Sequence, residues 1–148
     1  MLHRTLVICF FASLSLMGCQ AHSSRQTVVM SWQYAADAED VWQAAIKTAD
    51  EMKLDVRNID AAHDTITTNW QQFDMYQDYA DCAGALPDAD FMMRHVIKLT
   101  TSDAGPKLTV QSSFRMERES GAGVITPCDS TGKFEKRFHD KLEKTLKK

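Results

Sequence analysis

The first nineteen residues decide how much of this 148-residue chain is left to fold, and in what redox environment. Met1-Leu2-His3-Arg4 is a short basic start, Thr5 to Met17 is an apolar run of 13 residues, and Gly18 stands directly before Cys19. A charged start, a short apolar core and a small closing residue are the order of a cleaved secretory signal, and the core is too short to span a bilayer as a helix. Loss of residues 1–18 leaves 130 residues, enough for one domain with a real core.

Leu16-Met17-Gly18-Cys19 resembles the bacterial lipobox, at which a lipoprotein signal is cut so that the cysteine becomes a lipid-modified N-terminus. The resemblance implies lipidation of Cys19. At roughly 0.8 kcal/mol per buried methylene, the several acyl chains of such a modification hold a protein to a membrane permanently. Gln20 rather than aspartate follows the cysteine, which in enterobacterial-type sorting implies the periplasmic face of the outer membrane. Residues 19–26 then form the lipidated cysteine and a polar, patternless linker (Gln20 to Gln26). Seven extended residues at roughly 3.3 Å each reach only about 23 Å, so the domain is expected close to the lipid surface.

The chain carries 17 Lys and Arg against 20 Asp and Glu, and Arg4 leaves with the signal, so the mature protein has a net charge of minus four. That total suggests neither a nucleic-acid nor an anionic-lipid partner. The distribution is uneven: residues 133–148 hold seven Lys or Arg against three acids, leaving minus eight on residues 19–132. Four cysteines reduce to two, because Cys9 lies in the signal and Cys19 is taken by lipid. Cys82 and Cys128 remain as an even pair in an oxidising compartment, which favours a structural disulfide over two free thiols. Such a bond would close a loop of about 47 residues and constrain the unfolded chain by roughly 4 kcal/mol.

Residues 27–148 read as a single α+β domain. Thr27 to Tyr34 alternates, with Val28, Met30, Trp32 and Tyr34 on one face, the period of a half-buried strand. Asp37 offers an N-cap to a helix of about four turns, whose apolar stripe is Ala38, Val41, Trp42, Ala45, Ile46, Ala49 and Met52. Leu54 to Ile59 and Thr65 to Phe73 read as two strands around the turn Asp60 to Asp64, the second with Ile66, Thr68 and Trp70 on one face. Phe91 to Thr101 and Lys107 to Arg118 form a further pair around Ser102-Asp103-Ala104-Gly105-Pro106. Lys133 to Lys148 closes the chain as a helix with Phe134, Phe138, Leu142 and Leu146 along one stripe. The order strand, helix, four strands, helix predicts one mainly antiparallel sheet of about five strands, with an N-terminal-half helix and a C-terminal helix packed on one face. Asp74 to Asp90 and Glu119 to Thr131 are expected as the two long irregular loops, each holding one of the paired cysteines.

With its lipidated start and the run Asp64-Thr65-Ile66-Thr67-Thr68-Asn69-Trp70, this arrangement resembles the helix-grip domains of the lipoprotein C subunit of the outer-membrane β-barrel assembly machinery. The resemblance is architectural and covers roughly residues 27–148. Tyr79-Ala80-Asp81-Cys82 and Cys128-Asp129-Ser130-Thr131-Gly132-Lys133-Phe134-Glu135 are similar to segments of proteobacterial lipoproteins. That similarity also implies a disulfide and supplies no activity.

The chain has no Gly-x-Ser-x-Gly elbow, no His-Glu-x-x-His, no phosphate-binding glycine loop and no dinucleotide fingerprint, so no catalytic residue, metal ligand or cofactor is assigned. His95 shares its alternating face with Ile97 and Leu99, as a satisfied or edge histidine or as one that titrates in a cleft. Asp74, Tyr76, Asp78, Tyr79 and Asp81 are the candidate partner-binding residues, in an acidic stretch that is otherwise a solvated loop. Its spacing does not match a calcium loop. Lys136, Arg137 and Lys141 either solvate the C-terminal helix or meet lipid phosphates or an acidic protein. The expected function is that of a non-enzymatic, membrane-anchored envelope lipoprotein that binds or scaffolds another envelope component. The alternative is a lipidated carrier of a small apolar ligand, held between sheet and C-terminal helix by Trp32, Trp70, Phe114, Phe134 and Phe138; those aromatics would otherwise be core.

Overall fold

The computed structural model describes residues 27–74, 76–84, 88–118 and 124–147, so the expected signal, Cys19 and the linker lie outside the described residues. The elements in chain order are β1 (Val29–Gln33), α1 (Ala38–Glu51), β2 (Val56–Asp60), β3 (Thr65–Thr68), β4 (Gln71–Gln72), α2 (Tyr76–Tyr79), β5 (Ala80–Asp81), β6 (Asp90–Ser102), β7 (Gly105–Arg118), β8 (Val124–Ser130) and α3 (Lys133–Leu146). The architecture is α+β, with an open, antiparallel sheet ordered β2-β3-β6-β7-β8-β5, β1 lying beside β7 and β4 beside β6.

A central hairpin organises the sheet. β6 and β7 pair continuously from Asp90↔Glu117 to Ser102↔Gly105. Gly105 takes φ 100° in the turn, and a Cβ there would lie 3.1 Å from the Tyr34 carbonyl oxygen. Strict alternation along both strands turns Met93, His95, Ile97 and Leu99, with Leu108, Val110, Ser112, Phe114 and Met116, to one buried face. The two long helices cover that face, α1 through Val41, Trp42, Ala45 and Ala49, and α3 through Phe134, Phe138 and Leu142. Each fully buried aliphatic or aromatic side chain there contributes roughly 1.5–3 kcal/mol. Lys141 of α3 reaches Glu51 of α1 at 3.2 Å and ties the helices across their exposed edge.

The sheet has eight strands rather than five, for three separate reasons. The stretch expected as one strand from Thr65 to Phe73 divides into β3 and β4, because Asn69 leaves the ladder to bond its N–H to the Asp55 carbonyl (2.8 Å). Within the expected loop 119–131, residues Val124–Ser130 pair with β7 from Arg118↔Val124 to Phe114↔Cys128. Pro127 is tolerated because the second edge of β8 meets only the two-residue β5, at Asp129 and Ser130. Within the expected loop 74–90, α2 and β5 are ordered against β8 and α3, with Thr131 N–H donating to Tyr79 O and Thr131 Oγ1 donating to Asp78 O. A disulfide joins Cys82 to Cys128, with Cα atoms 4.5 Å apart, so it fastens β5 to the strand that flanks the central hairpin. Asp37 occupies the N-cap position of α1 but makes no side-chain capping bond; its carbonyl accepts from Val41 N–H.

Candidate functional site

Each strand of the central hairpin is flanked by two short strands laid end to end, and both flanking ladders break at the same place. On β6, β3 pairs with Val96–Lys98 and β4 with Met92–Met93, leaving Arg94 and His95. On β7, β1 pairs with Lys107–Gln111 and β8 with Phe114–Arg118, leaving Ser112 and Ser113. These four residues are cross-strand partners, Arg94↔Ser113 and His95↔Ser112. Alternation then sends one pair inward and the other outward.

Inward, His95 Nδ1 lies 3.0 Å from Ser112 Oγ, and both residues are buried. The missing ladder bond on β6 is replaced by a side chain: His95 N–H donates to Thr68 Oγ1 at 2.9 Å. The imidazole stacks on Phe134 (ring centroids 3.7 Å, planes 7° apart), while Nε2 is buried without a hydrogen-bond partner. Burial pushes the imidazole pKa down to about 3, so the ring is neutral at physiological pH. A neutral, enclosed histidine bonded to a serine with 1 % of its surface exposed orders the core; neither group is presented to solvent. A second buried polar contact lies at the start of α3, where Ser130 Oγ donates to the buried Glu135 carboxylate (3.1 Å) and accepts from Gly132 N–H (3.1 Å).

Outward, the same break forms a cleft of about 310 Å³ whose lining includes Thr27, Trp70, Ser113, Arg115, Ile125 and Pro127. Trp70 is not on the Ile66–Thr68 face, as uninterrupted alternation predicted; leaving the ladder at Asn69 puts it on the opposite side of the sheet. There its ring carries the Arg115 guanidinium at 3.9 Å and that of Arg94 at 4.9 Å. Arg115 pairs with Glu117. The Nε atoms of both arginines are buried and have no hydrogen-bond partner.

A different opening lies on the helix side, at the β2 edge of the sheet. Between α1 and β2 runs a groove of about 620 Å³ lined by Ile46, Leu54, Val56 and Ile59, with Gln43, Lys47 and Asp50 on its rim. Ile59 pairs across the ladder with the fully buried Ile66, so both point to the helix side. Helix α1 does not reach far enough to cover Ile59, which stays 43 % exposed. Among the described residues β2 itself is paired only with β3 and ends the sheet.

The residues singled out from sequence are distributed around these openings rather than gathered in one. Asp74, Asp78 and Asp81 are exposed, Tyr76 lies in α2, and Tyr79 is half-buried. The Tyr79 ring meets Phe134 edge-on at 5.8 Å and its hydroxyl accepts from Arg137 Nη1, so this tyrosine fastens the acidic segment to α3. Lys136 pairs with Asp140 at 2.9 Å and Lys141 with Glu51, so Lys136, Arg137 and Lys141 each have a partner within the domain. The five aromatics expected to line a ligand space do not come together. Phe114, Phe134 and Phe138 are core, Trp32 stacks on His139 (4.5 Å), and Trp70 is on the far face of the sheet. Sequence reasoning missed Arg94, Arg115 and Ile59; the broken alternation at Asn69-Trp70 and the outward register of the two arginines were the available signals. Among the described residues no three His, Cys, Asp or Glu side chains come together as metal ligands, and no helix is long and apolar enough to cross a membrane. No protein-family model and no curated protein matches the chain.

Proposed function

We propose that this protein is a non-enzymatic envelope lipoprotein, anchored through Cys19 to the periplasmic face of the outer membrane, that acts as a binding or scaffolding accessory. Its partner is an extended, apolar segment of another envelope protein, added along β2 with side chains entering the groove beside α1. The observation that carries this reading is the pairing of an open apolar groove with an unpaired sheet edge. Main-chain bonds to the edge supply affinity, and Ile46, Leu54, Val56 and Ile59 select alternate side chains. The seven-residue linker from Cys19 supports an accessory that works next to the lipid surface.

The test is photocrosslinking in intact cells from position 59, with position 103 in the exposed β6–β7 turn as the control. The expected result is one defined envelope protein joined at position 59, not at 103, and lost when Ile46→Lys places a charge in the groove. Equal adducts from both positions, or none from position 59, contradict the reading.

A further inference from the structure

We infer that the outer face of the sheet, around the break between β1 and β8, lies on the membrane and takes a phospholipid phosphate beside Trp70, Arg94 and Arg115. This inference rests on the lipid-anchor reading. Its first support is where the chain outside the structure ends. Thr27, the first described residue, is part of the cleft wall, and only residues 20–26 separate it from Cys19. A tether of about 23 Å at full stretch keeps this cleft, more than any other opening, within reach of the bilayer surface.

The second support is chemistry. The large apolar side chains exposed among the described residues are Val29 (53 %), Ile59 and Ile125 (56 %). Val29 and Ile125 stand opposite Gln111 and Glu117 of β7, on the outward register, one on each strand that borders the break. On the same outer face Trp70 and Arg115 line the cleft with Ile125, and the Arg94 and Arg115 guanidinium groups stack on the Trp70 indole. Exposed aliphatics, tryptophan and arginine are the composition of a protein surface at the headgroup boundary, where the apolar groups enter the acyl edge and the cations meet phosphate. Glu117 neutralises one side of Arg115, and Arg94 keeps the cluster cationic. Arginine suits the role because its planar fork matches phosphate oxygens while its face stays stacked on the indole.

The third support is the geometry of the domain. Both long helices lie on the opposite face, so docking through the sheet leaves the α1–β2 groove open to the periplasm. The cations of α3 are then turned away from lipid, and Lys136, Lys141 and Arg137 among them pair instead with Asp140, Glu51 and Tyr79. Tethering multiplies the effect of weak contacts: a headgroup site of millimolar affinity is well occupied at the effective concentration that a short linker imposes.

The experiment uses the full-length lipidated protein, reconstituted into vesicles of phosphatidylethanolamine and brominated phosphatidylglycerol at three to one. Flotation reports the anchor, and bromine quenching of tryptophan fluorescence reports docking. Subtracting the signal of Trp70→Phe isolates Trp70. The expected result is flotation with Trp70 strongly quenched, and quenching lowered about threefold or more in Arg94→Gln, Arg115→Gln, as for lost phosphate contacts at an anionic surface. Flotation with Trp70 unquenched overturns the docking inference and leaves the anchor reading intact. Failure to float overturns the anchor reading, and the inference with it. The wild-type measurement alone decides between these outcomes if the double variant does not fold.

Discussion

His95 and Ser112 face one another across the central hairpin, Nδ1 3.0 Å from Oγ, where the ladders on both sides of that hairpin are interrupted. The unfolded chain takes a proton on this imidazole below about 6.5, the folded one only near 3. Stability from this group is therefore present above pH 6.5 and is lost as the pH falls through that window, with a slope of up to about 1.4 kcal/mol per pH unit. Urea unfolding from pH 7 to 4.5 is expected to be steeper in the wild type than in His95→Gln. Parallel profiles contradict the assignment. His139 is also held low, mainly by burial, but it is unchanged in the variant and cancels in the comparison.

The Cys82–Cys128 bond closes a segment 46 residues apart in sequence, and its loss is expected to cost about 4 kcal/mol on the chain-entropy account. Urea midpoints with and without reductant measure it. The β5–β8 ladder is only two residue pairs long, so amide exchange at Ala80 and Asp81 is expected to rise first on reduction. A reduced protein with the oxidised midpoint contradicts this.

Ile59 and Ile66 are ladder partners with opposite fates, one 43 % exposed and the other fully buried. Ile66→Ala is expected to destabilise by roughly 2–4 kcal/mol through the cavity it leaves. Ile59→Ser is expected to change stability by less than about 0.5 kcal/mol and to abolish partner crosslinking from a photoreactive residue placed at position 47 on the groove rim. A large stability loss in Ile59→Ser would show that the groove is part of the core.

Ser130 is the hydrogen-bond donor to the buried Glu135 carboxylate. Ser130→Ala leaves that carboxylate without its hydroxyl partner and is expected to cost roughly 1–3 kcal/mol. Glu135→Gln, which keeps an acceptor for the hydroxyl, is expected to cost less; the reverse order, read from thermal unfolding, contradicts the role.

The long elements were readable because their periods are clean. The 3.6-residue stripes of both long helices and the alternation along β6 and β7 lead to the observed core. What was missed has local causes. β8 hides behind Pro127 and Asp129, which interrupt its apolar run; Pro127 lies beyond the two residues of β8 that pair with β5. Trp70 was assigned the wrong face because one residue, Asn69, leaves the ladder, and a shift of one inverts everything beyond it. The exposure of Ile59 depends on how far α1 extends over the sheet, which no periodicity encodes. The Trp70, Arg94 and Arg115 cluster joins three segments through register alone.

The most direct test of the account is the mass of the mature N-terminus, taken from membrane fractions of cells fed an alkyne-bearing palmitate. The account predicts a protein that begins at Cys19, carries the label, and loses both label and membrane association in Cys19→Ser. A chain that retains residues 1–18, or one cut there that leaves the membrane unlabelled, would contradict it.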